Sequence, residues 1–226
     1  MISLVWLIPA FPLAAFLVNG LFGRRWLGHL TGVIASVAVG LSALVSIGVF
    51  LEVLGGKTQT VVRLYRWIAV GDFSINVSAL VDPLSSTMLL VVTVVSFLIF
   101  VYSNGYMAHD AGFYRFFTWL SLFVFAMLIL VMADNYLLMF VGWEGVGLCS
   151  YLLIGFWFER PAPYYAAKKA FVMNRIGDWL HDRDHHDLPG LRFDELPRRV
   201  QPAPGERDAA GYPHSHLRRP LLRGDR

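Results

Sequence analysis

The chain has a single cysteine, Cys149, and this scarcity excludes several kinds of protein. One thiol cannot form an intrachain disulfide, a thiolate metal cluster or a CxxC redox motif, so Cys149 is interpreted as a small packing residue. The sequence also lacks a glycine-rich phosphate loop, an HExxH motif and a GxSxG motif. No stretch interleaves basic and aromatic residues in the way that suggests nucleic-acid binding.

Charged residues are scarce as well. They make up 15% of the 226 residues, whereas 56% are hydrophobic, which is too apolar for an ordinary soluble domain. A helix that crosses a bilayer needs roughly 20 mostly apolar residues. Such runs occur at Ile2–Phe22, Leu30–Leu51, Leu84–Tyr102, Phe116–Met132 and Tyr136–Trp157. They are too long and too uncharged for the buried core of a soluble protein, so the sequence predicts an all-α polytopic membrane protein.

The distribution of basic residues predicts the orientation of the spans. Lysine and arginine gather in the connections after the first, third and fifth spans, at Arg24, Arg25, Arg115, Arg160, Lys168 and Lys169. The positive-inside rule places these connections in the cytoplasm, so the N-terminus is predicted to lie outside. One connection argues against this orientation, because Lys57, Arg63 and Arg66 fall on the assigned outer side.

The connection after the second span, Gly55–Asp82, differs in kind from the others. Its segments TVVRLYRWI and FSINVSAL are rich in β-branched and aromatic residues, and AVGD lies between them. This pattern predicts a short β-hairpin on the membrane surface. Pro83 then stands at a position that suits a helix start. After the fifth span, Pro161 and Pro163 indicate a loop, and a sixth helix is predicted from near Tyr165.

One carboxylate, Glu144, lies inside the fifth span, within VGWEGVGLCSYLLIGFW. An ionised carboxylate is costly in hydrocarbon unless it faces the bundle, meets a cation or stays protonated. Desolvation favours its protonated form and a nearby cation favours its ionised form, so an acid held between these effects can take up and release a proton. Gly142, Gly145 and Gly147 would let neighbouring helices approach closely. We interpret Glu144 as a proton-relay acid; the alternative is a structural hydrogen bond to a neighbouring helix.

The predicted sixth helix carries two further charges, Arg175 and Asp178. They are three residues apart, so they share a helix face and are close enough for an ion pair. Such a pair is often only a feature of the surface, and the residues alone leave both interpretations open.

The sequence changes character after Trp179. Residues 180–226 are rich in Arg, His, Asp and Pro and show no apolar periodicity, so the sixth helix is predicted to be cut short before it could cross the membrane. Three interpretations compete: a disordered cytoplasmic tail, a metal-binding patch around LHDRDHHDL, and a shifted reading frame. Read one base later, the codons for LHDRDHHDL allow FMIGIIMI, which would continue an apolar helix. We favour the shifted frame, with residues 1–179 as the membrane domain and 180–226 as an irregular or disordered tail.

Long segments resemble the antiporter-like subunit L family of bacterial proton-pumping NADH:quinone oxidoreductase, complex I. They are ALVDPLSSTMLLVVTVVSFLIFVYSNGYM, RFFTWLSLFVFAMLILVMADNYLLMFVGWEGVGLCSYLLIGFW and KKAFVMNRIGDW, and the resemblance covers Met1–Trp179. It implies that Glu144 is a proton-channel acid whose partner is a lysine in a later, broken helix. It also implies that Asp178 belongs to the same proton-relay network, with Arg175 beside it.

The resemblance implies a setting as well. The partners would be the other membrane subunits of the complex, the lipid bilayer and protons, with no nucleic acid. This chain would hold no cofactor and no metal, because FMN, the iron–sulfur clusters and quinone belong to other subunits. It would lie in the bacterial inner membrane with its N-terminus outside the cytoplasm.

The sequence also departs from this family. Phe100 stands where many members carry a histidine on the third helix. Family members are far longer, and the later helices with the partner lysine are absent here, so this chain alone is not expected to pump protons. Two other functions fit the residues: a subunit of an Mrp-type cation/proton antiporter, and a non-catalytic membrane assembly protein with a soluble tail.

Overall fold

The computed structural model describes residues 4–56, 60–70 and 73–187, and most of them belong to long helices. The helices are α1 (Leu7–Phe22), α2 (Leu30–Leu54), α3 (Pro83–Tyr106), α4 (Phe113–Met132), α5 (Tyr136–Ile154) and α6 (Pro161–Asp187). Among the described helices, α1 to α5 are long and apolar enough to cross a membrane. This confirms the five predicted spans and makes the chain a multi-pass membrane protein.

The start of α3 shows how local sequence sets a helix boundary. Pro83 occupies the first helical position, as predicted, where its missing N–H leaves no intrahelical bond unmade. The preceding residue, Asp82, accepts a hydrogen bond from the Ser85 amide at 2.6 Å, and the Ser85 hydroxyl accepts one from the Asp82 amide at 2.8 Å. This reciprocal capping box satisfies two amides that the helix itself cannot pair.

Polar side chains fix the register between the first two spans. The Asn19 side-chain amide on α1 donates to the Thr31 carbonyl of α2 at 3.0 Å. Near the other end of the pair, the Ser42 hydroxyl donates to the Ile8 carbonyl at 2.7 Å. All four residues are buried, so these bonds are shielded from competing water. The two contacts therefore set how α1 and α2 lie along each other.

The apolar core lies among α1, α2, α3 and α4, with α5 packed on α4 and α6 packed on α5. Its largest fully buried side chains include Ile8, Leu89, Phe100, Phe117 and Leu128. The ring centres of Phe100 and Phe117 are 5.9 Å apart. Phe100, where the sequence was expected to depart from the family, thus makes an aromatic contact in the core.

A two-stranded hairpin separates the second and third spans, as predicted. Strands β1 (Thr60–Val70) and β2 (Phe73–Val81) are antiparallel. The hairpin covers the turn between α4 and α5, where the Ser78 hydroxyl donates to the Asp134 carboxylate. The Asn135 side-chain amide donates to a β2 carbonyl at 2.9 Å. The hairpin therefore marks the end of the bundle at which α2 and α4 end and α3 and α5 begin.

The sixth helix differs from its prediction at both ends. It begins at Pro161, before the predicted Tyr165, because prolines are compatible with the first turn of a helix, where the amide has no partner. Its backbone continues past Trp179 to Asp187, beyond the predicted end of the membrane domain. Residues 188–226 lie outside the described residues, so the predicted disordered, out-of-frame tail stays a prediction.

Candidate functional site

The pairing of α5 with α6 determines which charged residues meet. The helices are antiparallel and joined by a short connection, so residues at similar distances from it face each other. A Cβ atom at Gly155 would lie 3.2 Å from the Ala167 Cβ, which shows how closely the helices approach near the connection. Glu144 is about 12 Å along the α5 axis from Tyr136, at about 1.5 Å per residue, and so lies near the middle of the span.

An ion pair joins the two helices at this depth. The Glu144 carboxylate contacts the Arg175 guanidinium of α6. The Glu144 side chain is 19% exposed and that of Arg175 is 40% exposed, so the acid is the more enclosed partner. The guanidinium carbon of Arg175 also lies 4.9 Å from the centre of the Phe171 ring, which is a cation–π contact. The site thus gives the intramembrane acid a positive partner that is itself held against an aromatic ring.

Asp178 is held by a different residue from the one that helical spacing predicted. The Trp143 indole N–H donates to the Asp178 carboxylate at 2.9 Å. Among the described residues, this bond and the pair of Arg175 with Glu144 take the place of the predicted ion pair between Arg175 and Asp178. The prediction placed the two charges correctly on one helix but assigned them to each other, because a single helix shows only its own neighbours.

Two of the glycines around Glu144 allow close packing, as predicted, and both face α4. A Cβ atom at Gly142 would lie 2.6 Å from the Leu130 amide nitrogen on α4. A Cβ atom at Gly145 would lie 2.9 Å from the Ala126 Cβ, also on α4. These two glycines therefore bring α5 against α4 on one side, while Glu144 reaches α6 on another.

A groove of about 500 Å³ runs beside the Trp143–Asp178 hydrogen bond. It is bounded by α4, α5 and α6, and Leu130, Phe140 and Met173 supply part of its apolar wall. Asp178 is the acid that borders it. The Asp178 carboxylate therefore borders an open groove, whereas the Glu144 carboxylate contacts Arg175.

Two members of this arrangement were not identified from sequence. Phe171, which underlies Arg175, was not singled out, and Trp143 was not predicted to bind Asp178. Phe171 lies four residues before Arg175 on α6, so helical spacing could have identified it. Trp143 could have been found from the antiparallel return of α6, which brings residues at matching distances from the connection together. The rotation of each helix about its axis could not be read in this way, and rotation decides which side chains touch.

A second polar cluster lies at the other end of α5. The Asp110 carboxylate accepts from the Trp157 indole at 2.9 Å and from the Gly112 amide at 2.7 Å. The Trp157 bond first, and then the Gly112 bond, hold the pKa of Asp110 below its ordinary value. The Arg115 guanidinium donates to the Phe156 carbonyl at 3.1 Å. This cluster ties the α3–α4 connection to the α5–α6 connection, away from Glu144.

No group of three or more His, Cys, Asp or Glu side chains capable of holding a metal ion occurs within the part of the chain that the structure describes. The His- and Asp-rich stretch that follows Trp179 was the candidate metal patch. Its side chains lie outside the described ones, so that interpretation is untested.

The sequence matches two family models. Residues 67–117 match the N-terminus of complex I chain 5, NADH-ubiquinone oxidoreductase. Residues 133–180 match the transmembrane region of NADH:quinone oxidoreductase and Mrp antiporters, and this match contains Glu144, Arg175 and Asp178. The chain belongs to this family of antiporter-like membrane subunits. The resemblance stated from the sequence is thereby confirmed.

Curated relatives of this antiporter-like chain are named NADH-quinone oxidoreductase subunit L. It is 45% identical over 177 residues to the subunit of Rickettsia bellii, and 45% identical over 168 residues to that of Escherichia coli K12. It is 46% identical over 180 residues to that of Mycobacterium tuberculosis H37Rv. The alignments cover 78%, 74% and 76% of this chain but 28%, 27% and 28% of the relatives. The chain therefore spans little more than a quarter of the length of these relatives.

Two solved structures share the fold. One is the membrane-bound sulfane sulfur reductase, an archaeal respiratory membrane complex, with a TM-score of 0.67 and 17% identity over 77% of this chain and 34% of that chain. The other is the Mrp complex from Dietzia sp. DQ12-45-1b, with a TM-score of 0.63 and 24% identity over 76% of this chain and 18% of that chain. At these identities the likeness establishes the fold alone.

Proposed function

We propose that this chain is the N-terminal part of a membrane subunit of a proton-translocating NADH:quinone oxidoreductase, in which Glu144 relays protons. The observation that carries the proposal is the ion pair between Glu144 and Arg175 near the middle of a membrane-spanning helix. The reaction is taken from relatives named NADH-quinone oxidoreductase subunit L. Because the chain accounts for little more than a quarter of their length, translocation is proposed for the complete subunit rather than for this chain by itself.

A relay acid has to be stable both with and without its proton. Arg175 favours the ionised form of Glu144 through its opposite charge, and the apolar helices around the pair favour the neutral form. When Glu144 takes up a proton, the attraction to Arg175 weakens, but the guanidinium keeps its contact with the Phe171 ring. The cation can therefore stay beside the acid throughout a cycle of protonation and release.

Asp178 is proposed as a second acid of this network. It lies on α6 about 4.5 Å along the axis from Arg175, at about 1.5 Å per residue. The Trp143 indole N–H holds its carboxylate at the edge of the groove. An acid at this edge can exchange protons with water that enters the groove. Its near neighbour on α6, Arg175, contacts Glu144.

The proposed setting follows from the family. The partners are other membrane subunits, the lipid bilayer and protons, and the membrane is the bacterial inner membrane with the N-terminus of the chain outside the cytoplasm. FMN, the iron–sulfur clusters and quinone are assigned to other subunits, so this chain contributes to the oxidoreductase as part of the translocating membrane domain.

The test is Glu144→Gln in a full-length subunit that carries this segment, assembled with the rest of the complex in bacterial membrane vesicles. We expect NADH-driven proton pumping to fall to a small fraction of wild type, because glutamine cannot carry the proton. NADH–ferricyanide activity should be unchanged, since it reports the presence of the NADH-binding arm.

Glu159→Gln is the matched control, because Glu159 is an exposed acid in the α5–α6 connection. This variant should pump like wild type. Pumping by Glu144→Gln at the level of Glu159→Gln would remove Glu144 from the relay.

A second candidate function is a subunit of an Mrp-type cation/proton antiporter. It is favoured by the match over residues 133–180, because that family model includes Mrp antiporters as well as NADH:quinone oxidoreductase. The neighbouring genes separate the two candidates. A cluster of dehydrogenase subunits supports the oxidoreductase, and a small antiporter operon supports the antiporter.

A further inference from the structure

The turn between α1 and α2 presents two arginines and a tryptophan to the surroundings. It comprises residues 23–29, which begin with the π-helical segment Gly23–Leu27. Arg24 and Arg25 are exposed, and the Trp26 side chain is 76% exposed. Because the turn joins two membrane-spanning helices, it lies at the depth where a span leaves the hydrocarbon.

This α1–α2 turn is held in one conformation by the bundle. Gly23 is buried, and a Cβ atom there would lie 3.1 Å from Thr31 Cγ2 and 3.3 Å from Tyr114 Cβ. The Gly28 amide donates to the Gly23 carbonyl at 3.2 Å, and the Thr31 hydroxyl donates to the Gly28 carbonyl at 2.8 Å. Gly28 has a φ of +48°, which glycine adopts without strain. The backbone below the arginines is therefore ordered before any ligand arrives.

The two arginines have no acidic partner among the residues whose contacts are described. The turn lies beside the start of α4, where the His29 and Phe113 ring centres are 5.1 Å apart. Asp110, an acid in the connection that precedes α4, is already bonded to Trp157 and faces other arginines. Arg24 and Arg25 are thus available to bind an anionic partner from outside the described part of the chain.

We propose that the α1–α2 turn binds the headgroup of an anionic phospholipid. Arg24 and Arg25 would donate to the phosphate oxygens, since the guanidinium fork matches phosphate geometry. Trp26, whose ring centre lies 5.9 Å from that of Phe22, would sit at the glycerol and acyl boundary, where tryptophan is enriched in membrane proteins. This inference goes beyond the proposed function and does not depend on proton transfer.

Lipid rather than a soluble anion is the ligand that the surroundings fit. The arginines are flanked by large exposed apolar side chains, with Leu21 74% and Leu30 58% exposed. A free phosphate ion would leave this apolar surface uncovered, whereas the acyl chains of a phospholipid cover it while the headgroup meets the cations. The turn therefore offers cations to the lipid headgroup and apolar side chains to its acyl chains.

The experiment measures binding of phosphatidylglycerol to the purified 226-residue chain in a zwitterionic detergent, with bound lipids counted by native mass spectrometry. Arg24→Ala/Arg25→Ala should weaken the tightest binding event about 25-fold, at about fivefold for each basic residue near a membrane surface. Arg24→Lys/Arg25→Lys should fall between this variant and wild type, because it keeps the charge and loses the fork. Wild type should bind phosphatidylcholine more weakly than phosphatidylglycerol.

The matched control is Lys168→Ala/Lys169→Ala, which removes the same charge from exposed positions on α6. It should leave the tightest phosphatidylglycerol site intact. Equal loss in both double alanine variants would overturn the proposal in favour of general charge attraction. Equal affinity of wild type for the two lipids, or displacement of phosphatidylglycerol by millimolar inorganic phosphate, would also overturn it. Circular dichroism of each variant verifies that any loss of lipid binding is not caused by a loss of helical structure.

Discussion

Substitution of Gly142 by alanine tests whether the close contact between α4 and α5 is structural. The new Cβ would lie 2.6 Å from the Leu130 amide nitrogen, 2.8 Å from its Cα and 2.9 Å from its Cβ. All three atoms belong to or adjoin the α4 backbone, so no side-chain rotation can move them aside. The helices would have to separate locally for the methyl group to fit.

The magnitude follows from these distances. Non-bonded carbon atoms rest about 3.5–4.0 Å apart, so α4 and α5 must separate by about 1 Å. Overpacking of this kind costs about 1–3 kcal/mol. Alanine is favoured over glycine within a helix by about 1 kcal/mol, which offsets part of that cost. For Gly142→Ala we therefore expect a net loss of about 0–2 kcal/mol in the free energy of unfolding, which makes the protein about 1–3 kcal/mol less stable than the same substitution without the clash.

Gly147→Ala is the control, because it makes the same substitution on the same helix without the clash. Its nearest neighbour would be the Asn174 side-chain nitrogen at 4.0 Å. It should therefore leave stability unchanged or raise it by up to about 1 kcal/mol. The assay is unfolding of the chain in mixed micelles by added SDS, followed by circular dichroism. A Gly142→Ala protein as stable as Gly147→Ala would refute the reasoning.

Two further predictions concern the helix connections. Asp82→Ala should destabilise the chain by about 1 kcal/mol in the same assay, because α3 loses its N-cap. Asp82→Asn should retain most of the stability, since asparagine also caps helices. Equal losses in the two variants would contradict a capping role. The Trp157 and Gly112 bonds lower the pKa of Asp110 from 3.8, so its contribution to stability should be full above about pH 4 and disappear as pH falls through the lowered folded value. Asp110→Asn should remove that part of the acid dependence, and an unchanged pH profile would contradict the assignment.

The spans were predictable because their signal is strong and local. A run long enough to cross a membrane and nearly free of charge has few other structures available, so α1 to α5 followed from the sequence. The start of α3 was also predictable, since Pro83 favours a first helical position. Pro161 misled the prediction of α6, because a proline at the first turn of a helix and a proline in a loop look alike in a single sequence.

The sequence predicted which residues belong to the candidate site better than it predicted which of them contact each other. Glu144 stands out because an acid within an apolar run is rare, and the helical spacing placed Arg175 and Asp178 on one face of a helix. Their partners depend on how α5 and α6 are rotated against each other. That rotation comes from packing, including the approach of Gly142 to α4, and packing between helices has no signature in the order of residues along one helix.

The ion pair between α5 and α6 also bears on how the chain enters the membrane during synthesis. Arg175 is made about 30 residues after Glu144, which is roughly 2–6 s at a synthesis rate of about 5–20 residues per second. During that interval the acid lacks its cation, so release of α5 into lipid is costly unless the carboxyl group is protonated. Once α6 has been made, its Arg175 can pair with the acid. Release of α5 into the bilayer is therefore expected to be favoured after α6 has packed against it.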